Sequence, residues 1–369
     1  MVADELVDLL ERPVIEQLVD ALAGSLLASL VLIGNGTLIS GMSGLTTGFE
    51  RGDAFGGGTR HSAFGHGTNV PPASGVVRSR QKPYSDLVHN VSSRPPFDIP
   101  ALRAALARAE VAVPRLEWPA ACPSTNDALA EAIAAAPEEW ADYAVYGTDH
   151  QTAGHGRLGR TWTVPAAASL TFSTVIRVPA GFDMAALGWL PLIAGWAVAE
   201  AVGTAGVQAQ VKWPNDVLVE GKKICGILTR ATELPNTDDA QMAVILGIGV
   251  NVDMTADELP VETATSITEA GGSISRELLL TEILRRLHQA IPFLLSSSTA
   301  EGFAQSVAAD AVRNTMATLG MDVRAELPGG DELRGTAVGV DGGGNLIIDT
   351  GTGREVVSAG DVTHLRPSR

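Results

Sequence analysis

The chain has 369 residues, 45% of them hydrophobic, which is enough for more than one domain with a sizeable core. Its formal net charge of −16 excludes a broadly cationic nucleic-acid-binding surface. Two cysteines, Cys122 and Cys225, lie far apart without a C-x-x-C pair, so neither a disulfide framework nor a zinc site is expected, and a reducing cytoplasmic setting fits.

Residues 5 to 33 carry a helical pattern ending in an apolar run, Leu22 to Ile33, too short to span a bilayer, which needs about 20 apolar residues. Acidic residues precede it and no cleavage site follows, so it reads as a packed helix and no membrane association is expected. From Gly34 to about Pro96 the chain turns to Gly, Ser, Thr, Pro and Asn, and reads as disordered linker. The first domain boundary is therefore set at 1–96. A helix is expected from Ile99 to Glu110, then a strand from Val111 to Leu116. Pro123-Ser-Thr-Asn-Asp127 precedes the helix Ala128 to Ala136, where hydroxyl and amide side chains meet unpaired N–H groups; taken alone, simple N-capping is favoured over a binding role.

A short strand, Tyr143 to Gly147, leads into Thr148-Asp-His-Gln-Thr-Ala-Gly-His-Gly-Arg-Leu-Gly-Arg-Thr-Trp162. Gly154, Gly156 and Gly159 permit positive φ and close approach of a ligand to the main chain, while Arg157 and Arg160 offer guanidinium forks; together they read as an anion-binding loop. The glycines also spell G-x-G-x-x-G. The dinucleotide fingerprint needs a helix directly afterwards, whereas Pro165 and the β-branched, aromatic segment Leu170 to Val178 predict a strand, so that reading fails.

Leu187 to Val202 is a nearly uniformly apolar helix, expected in the core. In Val211-Lys-Trp-Pro-Asn-Asp-Val-Leu-Val-Glu-Gly-Lys-Lys-Ile-Cys-Gly-Ile-Leu228, a Pro-Asn-Asp break and a Glu-Gly-Lys turn predict a hairpin with polar residues on a rigid frame; Lys223 is either an ammonium aimed at an anion or a surface lysine. Met242 to Asn251 is a strand whose Gly-x-Gly marks close approach of backbone or ligand. A helix from Ser275 to Leu295 carries Arg285 and Arg286, both expected in solvent. After a helix at Glu301 to Asn314, short strands at Asp322 to Leu327, Leu333 to Val340, Leu346 to Asp349 and Glu355 to Val357, parted by glycine turns, predict a small antiparallel barrel as a separate C-terminal domain.

Ser124-Thr-Asn126, Gly154-His-Gly-Arg-Leu-Gly-Arg160 and Lys212-Trp-Pro-Asn-Asp216 with Lys223-Ile-Cys-Gly-Ile-Leu228 together resemble the biotin protein ligases (biotin–[acetyl-CoA-carboxylase] ligases), from about Ala120 to the C-terminus. The resemblance implies an α+β fold: a mixed sheet flanked by helices, the biotin/lipoate ligase catalytic fold, at 97–316, then an SH3-like β-barrel at 317–369. It implies an enzyme that forms biotinyl-5′-AMP from biotin and ATP with Mg²⁺, and then passes biotin to a lysine of a biotin carboxyl carrier protein. Ser124, Thr125, Asn126 and Gln151 would hold the biotin head, with His155 and Gly156 at its side and Trp162 on its apolar part. Gly154, Arg157 and Arg160 would hold the acyl-phosphate. Lys223 would meet carboxylate and phosphate as the catalytic cation with Arg157, and Asn215 and Asn251 would lie near the nucleotide. No protein-held metal site is expected. The family's loop usually has arginine where this chain has His155. Some bacterial members carry an N-terminal DNA-binding helix-turn-helix, whereas residues 1–96 show no recognition helix or basic face, so no nucleic-acid partner is expected. A lipoate protein ligase-like adenylating ligase and a non-catalytic biotin sensor remain as alternatives.

Overall fold

The computed structural model describes residues 94–234, 240–327, 330–358 and 361–364. The expected N-terminal helix, the linker and its Arg78, Arg80 and Lys82 lie outside the described residues. Ser93–Arg369 forms one compact unit.

Helix α1 (Ile99–Arg108) begins at Asp98, whose carboxylate accepts from the Ala101 N–H at 2.9 Å. Then follow β1 (Leu116–Glu117), α2 (Thr125–Ala135), β2 (Val145–Thr148), the short pair β3 (Gly154–His155) and β4 (Thr161–Trp162), and β5 (Ser169–Pro179). Helix α3 (Trp189–Gly203) precedes β6 (Gln210–Lys212), β7 (Asp216–Val219), β8 (Lys222–Glu233) and β9 (Ala240–Asn251). Helices α4 (Arg276–Ser296), α5 (Ala300–Ala304) and α6 (Val307–Asn314) complete this part. The main sheet runs β1-β2-β5-β9-β8-β7-β6, antiparallel except for the parallel β1–β2 pair, which makes it mixed.

Alternation along the central strands decides what each face holds. Phe172 and Ile176 of β5 and Val244, Leu246 and Ile248 of β9 pack in the core that contains α3 and α4. Val175 of β5 and Ala243 and Ile245 of β9 meet Leu129 and Ile133 of α2 in a second cluster. On that second face the same alternation continues through Thr171 and Ser173 of β5 and Gly247 and Gly249 of β9. Apolar side chains stop there, and the sheet lies open as the floor of a cleft.

Helix α3 is apolar except for Glu200, as the sequence predicts, and most of its residues are buried. The stretch Met184–Gly203 that includes it is the one helical segment among the described residues long and apolar enough to cross a membrane, and it serves as a core helix of this fold. Arg286 departs from expectation: its side chain is 12% exposed, facing Glu200 at 3.7 Å, because α4 turns this position toward α3. The expected single helix from Glu301 is two helices, α5 and α6, since Ser306 caps a fresh start by accepting from the Ala309 N–H.

Strands β10 (Asp322–Glu326), β11 (Glu332–Val340), β12 (Leu346–Asp349), β13 (Arg354–Val357) and β14 (Asp361–His364) form a second, antiparallel sheet in the order β13-β12-β11-β10-β14. Strand β14 was not expected from the sequence. The two sheets share no ladder, yet Val323, Ala337 and Ile348 belong to the same apolar core as α3.

Candidate active site

The cleft, an open space of about 930 Å³, lies where the N-terminus of α2, the β3–β4 hairpin and the β6–β7 turn meet over the bare sheet. Its lining includes Ser124, Thr125, Asn126, Gln151, His155, Gly156, Arg157, Arg160, Trp162, Asn215 and Lys223. Of the residues singled out from the sequence, Gly154 and Asn251 are absent from the wall. Gly154 lies behind it, where a Cβ would stand 2.6 Å from both Gln151 Nε2 and the Trp162 carbonyl oxygen. Asn251 is 4% exposed and donates to the Thr265 carbonyl at 2.9 Å, while its Oδ1 has no hydrogen-bond partner among the described residues.

At one end is a polar cluster. Ser124 caps α2 through the Asp127 N–H, so the capping reading of this motif holds for Ser124. Thr125 and Asn126 point elsewhere. The Thr125 N–H donates to Gln151 Oε1 at 2.7 Å. Ser173 donates to Asn126 Oδ1 at 2.7 Å and stands 2.8 Å from the Thr125 hydroxyl, and Asn126 Nδ2 donates to the Leu228 carbonyl at 3.0 Å. Two glycines make room. A Cβ on Gly247 would meet Asn126 Oδ1 at 2.3 Å, and one on Gly249 would meet the Trp162 ring at 2.7 Å. The indole of Trp162 therefore lies flat on the sheet, with Gly226 of β8 also beneath it.

At the other end are the cations. The hairpin is closed by the Gly156 N–H donating to the Arg160 carbonyl at 2.7 Å, and its tip takes left-handed backbone at Leu158 (φ 56°) and Gly159 (φ 72°). The sequence pointed to glycine freedom at Gly154, Gly156 and Gly159. Gly159 uses it, Gly154 is needed for close approach, and Leu158 takes the second left-handed position. Arg157 Nη1 donates to Asn215 Oδ1 at 3.0 Å, and Asn215 Nδ2 donates to the Ile227 carbonyl at 2.7 Å. Lys223 lines the cleft with its side chain 38% exposed. Its Nζ lies 2.5 Å from Asp216 Oδ1, and a register shift between Val217 and Leu218 accompanies the pairing of its strand. Among the described residues that line the cleft are Arg157, Arg160, Lys212 and Lys223 and one carboxylate, Asp216, so within a chain of net charge −16 the described wall is locally cationic.

The family models match on both parts of the described unit. Residues 118–251 match the biotin/lipoate A/B protein ligase family, and residues 318–365 match the biotin protein ligase C terminal domain. The biotin–[acetyl-CoA-carboxylase] ligase of Mycobacterium tuberculosis is 38% identical over 279 residues, which are 74% of this chain and 97% of that protein. The chain belongs to the biotin protein ligase family. The bifunctional ligase/repressor of Bacillus subtilis is 31% identical over 225 residues, 58% of this chain and 64% of that protein. The solved biotin protein ligase of Aquifex aeolicus, in complex with biotin and ATP, superposes with a TM-score of 0.53 at 28% identity, over 68% of this chain and 99% of that one.

In this biotin ligase the structure gives His155 a partner. His155 Nε2 stands 3.3 Å from Asp127 Oδ2, and the other oxygen of that carboxylate meets Arg230 Nη1 at 2.6 Å. The two cysteines are buried and free, and burial raises both thiols above their ordinary range. Sequence reasoning missed Ser173 and Asp216 as parts of the site. Asp216 closes the Lys212-Trp-Pro-Asn-Asp216 motif and could have been found there; nothing in the β5 sequence sets Ser173 apart from Thr171 or Thr174.

Proposed function

We propose that the chain adenylates biotin and then transfers it to a lysine of a biotin carboxyl carrier protein, with each cleft residue in the role the family resemblance implies. The biotin head sits against Thr125, Asn126 and Gln151, with Ser124 holding the helix end that presents them; His155 and Gly156 flank it and Trp162 covers its apolar part. Biotin's carboxylate then lies at the cationic end. In the first step a carboxylate oxygen attacks the α-phosphorus of ATP, forming the acyl-phosphate bond and expelling pyrophosphate. In the second, the carrier's neutral lysine amine attacks the acyl carbon, the acyl–phosphate bond breaks, AMP leaves with the electron pair, and the nitrogen gives up one proton to the departing phosphate or to water to leave the neutral amide. Both steps gather negative charge in a small volume, so positioned cations and N–H groups do most of the work.

Lys223 and Arg157 are the proposed catalytic cations, with Arg160 and the backbone at Gly154 on the phosphate, and Asn215 and Asn251 toward the nucleotide. The observation that supports this reading is the split of one cleft into a neutral, hydrogen-bonding end and a cationic end in which Arg157 donates to Asn215 and Lys223 meets Asp216. Among the described residues no group of three or more His, Cys, Asp or Glu side chains could hold a metal ion. Mg²⁺ usually binds through one or two carboxylates plus substrate phosphates, and the donor set fits that mode alone: it would arrive on ATP, with Asp216 the nearest carboxylate, and would neutralise phosphate charge. Residues 97–316 form the catalytic domain in this reading and 317–369 the barrel domain, in a cytoplasmic protein.

Biotin-dependent exchange of pyrophosphate into ATP tests the reading. The parent is expected to catalyse it, and Lys223→Ala to lose about 10² to 10³ in rate, the usual cost of one transition-state charge contact. A lipoate ligase would exchange with lipoate instead and a sensor with neither. Parent-like exchange in folded Lys223→Ala defeats the assignment.

A further inference from the structure

We infer that Trp213 is a positioning residue for adenylation, held from two sides by the C-terminal sheet domain so that the turn after it sets the places of Arg157 and Lys223. This rests on the proposed role of those two residues as the catalytic cations.

Trp213 ends the extended run of β6 and is 2% exposed. Its backbone N–H donates to Thr318 Oγ1 at 2.9 Å and its indole N–H donates to the Gly344 carbonyl at 2.9 Å. Each acceptor is itself fixed. Thr318 is fully buried, and its Oγ1 also stands 3.1 Å from His364 Nε2 on β14, with the direction of that bond set by the imidazole tautomer. Gly344 lies in a loop drawn tight by Asp341, whose Oδ1 accepts from the N–H groups of Gly343 and Asn345 at 2.8 and 2.9 Å. The same loop presents the Gly342 carbonyl to the Trp189 indole at 2.9 Å. It sits so close to α3 that a Cβ on Gly188 would stand 2.1 Å from the Gly343 oxygen. One residue upstream of Lys212, Val211 is bracketed too, donating to the Thr315 carbonyl and accepting from the Ala317 N–H at 2.9 and 2.8 Å.

Two residues downstream the consequences reach the cleft. Asn215 accepts from Arg157, and both its side chain and its carbonyl are tied to Ile227. Asp216 holds Lys223. Among the described residues, the hydrogen bonds of the polar end of the cleft run among α2, Gln151, β5 and β8 and do not reach this turn. Loosening Trp213 therefore disturbs the cationic end and leaves the head of biotin in place. Misplacement of reacting groups by about 1 Å costs about 10² in rate.

The test compares Thr318→Val, which keeps the side-chain volume but removes the acceptor, with Thr318→Ser, which restores it. Pyrophosphate exchange is read as kcat and as KM for ATP, biotin affinity is measured by calorimetry, and folding by circular dichroism. The expected result is a fall in kcat of about 10- to 100-fold for Thr318→Val, biotin affinity within about threefold of the parent, and recovery of most of the rate in Thr318→Ser. In an Asn215→Ala, Asp216→Asn background the Thr318→Val loss should shrink to near nothing, because the route through the turn is already cut. Folded Thr318→Val with parent kcat overturns the inference, as does a full additional loss in that background. Should Thr318→Val fail to fold, Trp213→Phe, which deletes the indole donor to Gly344, takes its place: a comparable fall in kcat supports the inference and a parent kcat overturns it. Arg157→Ala and Lys223→Ala in the same assay separate the two levels. Parent rates there defeat the reading of the cations, whereas low rates there beside a parent rate in Thr318→Val defeat the clamp alone.

Discussion

Gly247→Ala is the smallest change that should damage the floor of the cleft. A methyl group at this position would lie 2.3 Å from Asn126 Oδ1 and 2.7 Å from its Cγ and Nδ2, so the amide must move by about 1 Å to reach ordinary contact distance. Asn126 is 6% exposed and cannot swing into water without giving up both of its bonds, the one accepted from Ser173 and the one donated to the Leu228 carbonyl. Each such bond is worth about 1 kcal/mol net, and each buried partner left stranded costs about 1–3 kcal/mol. Two bonds and partial relaxation give a loss of about 2–4 kcal/mol, shared between folding and biotin binding according to how far ligand can hold Asn126 in place. Urea unfolding and biotin calorimetry should show it together, with affinity weakened at least about tenfold, since 1.4 kcal/mol is a factor of ten. Gly203→Ala is the control: nothing lies within 4 Å of a Cβ there, and a helical glycine replaced by alanine should be neutral or slightly stabilising. The reasoning is refuted if Gly247→Ala matches the parent in both measurements, or if it costs as much in an Asn126→Ala background, where the clash no longer exists.

Arg157→Gly removes the guanidinium held by Asn215 and leaves Lys223 in place, so biotinyl-AMP should still form but escape; biotin appearing on lysines of unrelated proteins in a mixture is the expected readout, and labelling confined to the carrier counts against it. His155→Arg should slow dissociation of biotinyl-AMP, because arginine is a permanent bidentate cation and can keep the contact to Asp127; equal dissociation rates in parent and variant would assign His155 a loop-shaping role only. The Glu258 carboxyl is held below its ordinary 4.5 chiefly by its hydrogen bond from Arg94. A depressed carboxylate contributes stability that is present above its unfolded pKa and lost as pH falls through the folded one. Glu258→Gln should therefore be less stable than the parent at neutral pH and converge with it on acidification below about pH 4, as followed by thermal unfolding; a gap that persists at low pH would locate the effect elsewhere.

Much of the chemistry is legible in the residue types alone. Two arginines and three glycines in one loop, a Ser-Thr-Asn run at a helix start, and a lysine after a Pro-Asn-Asp break are each ambiguous, and their coincidence in one chain is specific. Alternation and turn residues likewise located most strands of both sheets to within a few residues, because period-2 burial and glycine turns are local properties. What the sequence could not decide was which side chains hold which. Asp216 beside Lys223 and Asn215 beside Arg157 are pairings across strands and loops, set by register and by the shift at Val217–Leu218. Arg286, expected in solvent, is largely covered where it faces Glu200 of α3, because the rotation of α4 is chosen by packing and not by the residue's own polarity. Strand β14 escaped notice because four residues with one strongly apolar position carry too little pattern, and its pairing with β10 is what makes it a strand. The clearest division is at Asn126. Its position in a capping motif was read from the chain alone, whereas the placement of its side chain depends on a hydroxyl of β5 and a missing side chain on β9, 47 residues away from it at Ser173 and farther still at Gly247, which only the closed sheet brings together.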